Sequence, residues 1–178
     1  MNFAELAENA QNHYATQFER FVLNQRRVHQ SGVAEIKLQV GDETGLYGGY
    51  YCADFYTAGK SGEFLEFSST QPFKCPATIF QWKEAPLRIS DLHWNNVRIE
   101  HERPYIDMLQ FQEWFSRWFD LEGLNETANG AFSNAIHSVS VEAHRLTVDF
   151  GSAPAKALTQ LLDVLAKDGA ELRISAPS

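Results

Sequence analysis

The sequence predicts an α+β fold, and three observations carry the prediction. Residues 3–28 repeat their apolar side chains at a helical period. Residues 33–102 change to alternation at a period of two, and residues 136–176 read as two strands, a helix and a closing strand. The chain has 178 residues, 44% of them apolar and 21% charged, with 11 glycines and 6 prolines. A chain of this size buries about 70% of the surface it exposes when unfolded, so neither disulfides nor metal are needed to hold a core. We read it as one domain, 1–178, with sub-lobes 1–120 and 136–178 joined by 121–135, a stretch rich in Gly, Asn and Ala.

In the first helix the apolar stripe is Phe3, Ala7, Ala10, Tyr14, Phe18, Phe21 and Val28, with Gln25 as the polar intruder. Glu5 and Glu8 lie early and Arg20, Arg26 and Arg27 late, which complements the helix dipole, and Ser31-Gly32 ends the helix. The stripe predicts a helix laid across a sheet. Its loosely heptad-like spacing also allows a homodimer seam, although Gln17, Asn24 and Gln25 would enter it.

Strands are expected at 33–40, 46–57, 63–68, 77–83, 87–94 and 97–102, an antiparallel meander of about six strands whose connections are too short for crossovers. In the first, Ala34, Ile36, Leu38 and Val40 alternate against Glu35, Lys37 and Gln39. In the second, Tyr47, Tyr50, Tyr51, Phe55 and Tyr56 surround Gly48-Gly49 and Cys52. The glycine pair predicts a bulge or a close backbone approach. Tyr51 is a candidate contact residue if its ring stays exposed; a central strand buried on both faces is the plainer outcome.

A two-residue loop at Asn95-Asn96 would pair Trp94 with Val97, Leu92 with Ile99, His93 with Arg98 and Asp91 with Glu100. Leu92, Trp94, Val97 and Ile99 then face the core. The other face gathers Asp91, His93, Arg98, Glu100 and Glu102, a set suited to holding a cation, to acid–base chemistry or to meeting a basic partner, and equally to a solvated face of ion pairs.

Asp107 opens a second helix to about Asp120, with Met108, Phe111, Trp114, Phe115, Trp118 and Phe119 on one arc; Trp114, at its edge, is a further candidate contact residue. The C-terminal ββαβ unit has strands 136–142 and 145–150 turning over Ala143-His144. A helix over 154–167 then directs Leu158, Leu161, Leu162 and Leu165 inward, and Leu172 and Ile174 mark the last strand. Ser152 reads as the N-cap of that helix, where free N–H groups also suit an anion.

Catalytic signatures fail on spacing or phase. Gly59-Lys60-Ser61 lacks the first glycine of a P-loop, because Asp54 stands there; Tyr105 replaces the second histidine of a metalloprotease motif begun by His101-Glu102. Asp149-Phe150-Gly151 has none of a kinase's companions. Ser138 can pair with Asp149, but His137 points to the opposite face, so no triad forms. Cys52 and Cys75, 23 residues apart, make neither a disulfide scaffold nor a zinc site, and no cofactor is expected.

With 15 Lys and Arg against 23 Asp and Glu, the net charge of -8 repels a nucleic-acid backbone. The N-terminus lacks the features of a secretory leader and no apolar run is long enough for a membrane span, so the cytoplasm is the expected compartment. Together these features predict a non-enzymatic module that binds a basic protein, in its most concrete form an inhibitor or immunity-type protein. The alternatives are a hydrolase-like or metal-assisted enzyme using the polar face of 87–102, and a small-ligand binder using strand 47–56.

Overall fold

The computed structural model describes residues 1–102, 106–126 and 131–175. Helix α1 (Phe3–Val28) begins at a capping box in which Asn2 and Glu5 each accept the other's backbone N–H, both at 2.9 Å. Its buried stripe is Phe3, Leu6, Ala7, Ala10, Tyr14, Phe18 and Val22. The chain itself covers this stripe: Phe18, for example, packs on Phe67, Phe132 and His137. The last turn departs from the predicted stripe, because the helix extends past what it covers and leaves Val28 74% exposed.

Two sheets follow. The first has three antiparallel strands in the order β1 (Val33–Gln39), β2 (Tyr50–Tyr56) and β3 (Phe64–Leu65), and β2 is its central, buried strand. The expected strand start at residue 46 is replaced by a short 3-10 turn at Tyr47–Gly49, with Gly48 and Gly49 at φ of +61° and +66°. A Cβ on Gly49 would stand 2.7 Å from the Gly41 carbonyl oxygen, so this glycine does mark a close backbone approach.

The second sheet contains β4 (Thr78–Trp82), β5 (Ala85–Ile89), β6 (Val97–His101), β7 (Ser138–Glu142), β8 (Arg145–Asp149) and β9 (Leu172–Ser175), ordered β4-β5-β9-β6-β8-β7. The meander is therefore interrupted. β9 lies between β5 and β6, parallel to the former and antiparallel to the latter, so the hairpin expected at Asn95-Asn96 does not form. A strand carrying Leu172 and Ile174 buries both side chains and pairs both of its backbone edges only in the middle of a sheet, and this outweighs the short loop. Chain 90–96 becomes a loop, with a turn from Asn96 N–H to His93 O at 2.8 Å. Side-chain facing survives the change in pairing: Leu92, Trp94, Val97 and Ile99 are all buried. The two-residue hairpin of this region is instead Lys83-Glu84, between β4 and β5, with Lys83 at φ +54°.

Helix α2 (Met108–Phe119) starts at an Asp107 cap, and α3 (Ala155–Leu165) connects β8 to β9 by passing over β6. Leu158, Leu161, Leu162 and Leu165 of α3 are buried as expected, in one cluster that also holds α1, α2 and the inner face of the six-stranded sheet. Ser152 is not the cap of α3. The helix starts after Pro154 with no side-chain cap, and the Ser152 hydroxyl turns elsewhere. Among the described residues no helix is long and apolar enough to cross a membrane.

Candidate functional site

Insertion of β9 divides the residues that sequence reasoning had placed on one patch. Asp91 and His93 sit in the loop before β6, with His93 Nε2 3.2 Å from Asp91 Oδ2, while Asp91 Oδ1 fixes the Leu92 N–H at 2.8 Å. His93 faces a cleft of about 340 Å³ beneath α1. Arg98 and Glu100 project from the outer face of β6, and Glu102 follows its far end. Trp114 does not serve as a surface contact: it is 4% exposed, and its indole N–H donates to Ala157 O at 2.8 Å across the α2–α3 interface. Tyr51 is half-buried and its hydroxyl donates to the Glu66 carboxylate; burial and that carboxylate raise its pKa above the usual value.

The outer face of the six-stranded sheet carries two neighbouring depressions of about 490 and 530 Å³ whose walls share Glu100 and Arg173, together the trough of this face. At one end are Glu100, Glu102, Glu142 and Glu171 with Arg145 and Arg173; at the other the trough passes Arg88 and reaches Ile79, which is 60% exposed. Strand alternation explains the lining, because the partners of these side chains on each strand point into the core. Arg145 pairs with Glu142, and Arg88 and Arg173 both reach Glu171 Oε1, at 2.9 and 2.7 Å. These hydrogen bonds hold Glu142 and Glu171 below the usual carboxylate range. Glu100 lies across the strands from Arg145 and Arg173, and among the described residues neither Glu100 nor Glu102 forms an ion pair within 4.0 Å.

A second constellation, unmarked in the sequence reading, lies where the two sheets meet. The β1–β2 register places Glu35 opposite Asp54, and Glu35 has a φ of +53°, a costly conformation for a side-chain-bearing residue. The fully buried His137 ring stands between them, Nε2 2.9 Å from Glu35 Oε1 and Nδ1 2.9 Å from Asp54 Oδ1; the second contact is an ion pair not aligned as a hydrogen bond. Ser152 donates its hydroxyl to Glu35 Oε1, Ser133 its N–H to Glu35 Oε2 at 2.6 Å, and Phe67 its N–H to Asp54 Oδ2 at 2.6 Å.

Burial works against a proton on His137, but the Cys52 sulfur, Asp54, Glu35 and Asp149 all favour it and raise the pKa well above the usual value. The Cys52 thiol, itself pushed up to about 12 by burial, is protonated at neutral pH, so there the carboxylates hold the imidazolium. Burial also opposes the charge on Glu35, yet its bonds to His137, Ser152 and Ser133 bring its pKa below the usual 4.5.

Both nitrogens of this ring face carboxylates, which leaves no lone pair for a metal or for general-base work. Among the described residues no three His, Cys, Asp or Glu side chains form a group able to hold a metal ion. Ser138 pairs with Asp149 on the face away from His137, as strand phase requires. The only sequence signals for this centre were Asp54 within an otherwise apolar buried run and Glu35 in the polar set of β1. No protein-family model, curated protein or solved structure matches the chain.

Proposed function

We propose that the protein is a non-enzymatic binding module that docks a basic segment of another protein in the trough on the outer sheet face, as an inhibitor or immunity-type protein would. The two neighbouring depressions, whose walls share Glu100 and Arg173, carry this reading, since side by side they offer concave surface across several strands. The acidic surplus lies toward Glu102: the arginines of the trough already contact Glu142 or Glu171, whereas Glu100 and Glu102 are not so engaged. A Lys or Arg of a partner meets complementary charge there, and the net charge of -8 adds long-range steering. The buried His137 centre supports the non-enzymatic reading because its acid and base groups are spent on one another. Two unpaired cysteines, one buried, suit the reducing cytoplasm.

Photo-crosslinking in cells tests the proposal. A crosslinking residue at Ile79 or Thr147, on the outer sheet face, should trap one basic protein, and one at Lys156, on the α3 side, should not. Trapping the same products from all three positions, or none from the face, would overturn it.

A further inference from the structure

We infer a second, separate binding site for an uncharged planar heterocycle of the purine type, as free base or nucleoside, in the cleft beneath α1. Three chain segments form it: α1 contributes His13 and Tyr14, the segment after β3 contributes Phe73, and the loop before β6 contributes His93, Asn95 and Asn96. Its volume of about 340 Å³ lies at the small end of the range for sites that enclose a ligand.

One ring of the hydrogen-bonding surface is oriented in advance. His13 Nε2 lies 2.6 Å from the Gln71 carbonyl oxygen, which can only accept, so Nε2 carries the proton. His93 Nε2 lies 3.2 Å from Asp91 Oδ2, an ion-pair contact not aligned as a hydrogen bond. Each ring thus keeps Nδ1 without a protein partner among the described residues. The side-chain amides of Asn95 and Asn96 also have no partner among the described residues, and each offers a donor beside an acceptor. That pattern pairs bidentately with the N6/N7 edge of adenine.

The loop is anchored from below, because the Trp94 indole N–H donates to Gly151 O at 3.1 Å and its ring packs on Phe150 at 4.9 Å between centroids. Phe73, half-buried and 5.7 Å from the His13 ring, supplies a face on which a flat ligand stacks, while Tyr14 is buried against Phe18 and Phe67 and forms the floor of the cleft. No Lys or Arg lines the cleft and the Asp91 carboxylate stands 3.2 Å from His93 Nε2, so an anionic phosphate has no Lys or Arg to pair with there and an uncharged ligand is favoured.

Titration calorimetry of the intact protein with adenosine, guanosine, cytidine and uridine, beside AMP and ribose, tests the site. A purine nucleoside should bind, AMP more weakly, and ribose not at all. Phe73→Ala should weaken the purine by about tenfold, and Asn95→Ala should narrow the preference for purine over pyrimidine. Circular dichroism establishes that each variant is folded, and Lys156→Gln, exposed on α3 and outside both sites, should bind as the wild type does. Absence of nucleoside binding by the folded wild type, AMP binding as tightly as adenosine, or an Asn95→Ala variant with unchanged base preference would each overturn the inference.

Discussion

His137, Glu35 and Asp149 give the molecule opposing responses to pH. The pKa of His137 is raised in the fold, so its contribution is complete below about 6.5, the ordinary imidazole value, and fades as pH rises through the folded value. The Glu35 pKa is lowered; its contribution is present above 4.5 and is lost as pH falls through the folded value. Asp149 works against the fold. Burial pushes its pKa up to about 7, with Asp54 and Glu66 adding to the rise and His137 and the Gly151 N–H opposing it. The penalty is absent below the usual 3.8 and complete above about 7, on the order of 4 kcal/mol. Asp149→Asn should therefore stabilise the protein by a few kcal/mol at about pH 8 and have little effect near pH 4, as measured by urea unfolding; an equal effect at both would contradict this account. Gly151 is a second point of close fit. It has a φ of +47°, and a Cβ there would stand 2.1 Å from the His137 ring. Gly151→Ala should cost more than about 2 kcal/mol in the same assay, because it combines backbone strain with a clash in a filled core. Strand phase alone places His137 on the face opposite Ser138, as a core or edge histidine, and excludes the triad. It does not find Glu35 and Asp54 as the partners, because only the β1–β2 register and the seam between sheets bring the three together.

The extent of most elements could be read from the sequence, since period and caps are local properties: α1, α2, the β7–β8 hairpin and α3 lie close to where periodicity puts them. The order of strands could not. The choice between an Asn95-Asn96 hairpin and insertion of β9 depends on residues more than seventy positions apart in sequence, and no local pattern reports it. That insertion moved His93 to the cleft, with Asp91 beside it, and left Glu100 and Glu102 in the trough, so the candidate patch was legible as a set of polar side chains but not as two places. Packing of the elements can be tested by a matched pair. Leu161→Ala in α3 should cost about 2 to 5 kcal/mol, whereas Val28→Ala, at the exposed end of α1, should change stability by less than about 0.5 kcal/mol. A large loss at Val28 would return the last turn of α1 to a buried interface.

At the scale of the whole molecule, α1, α2 and α3 share one core with the inner face of the six-stranded sheet while the outer face keeps a trough of alternating charge. The His137 centre ties the three-stranded sheet to the end of this layer, where Cys52 N–H also donates to His137 O at 2.7 Å. In the proposed function the trough receives a basic protein, and Glu100 and Glu102 guide its approach. The direct measurement is the association rate of the crosslinked partner, once isolated, with wild-type protein and with the double variant Glu100→Lys, Glu102→Lys, from about 50 to 300 mM salt. The wild-type rate should fall as salt rises, and the double variant should associate several-fold more slowly at low salt and lose most of the salt dependence. A double variant that associates as fast as wild type, with the same salt dependence, would contradict it.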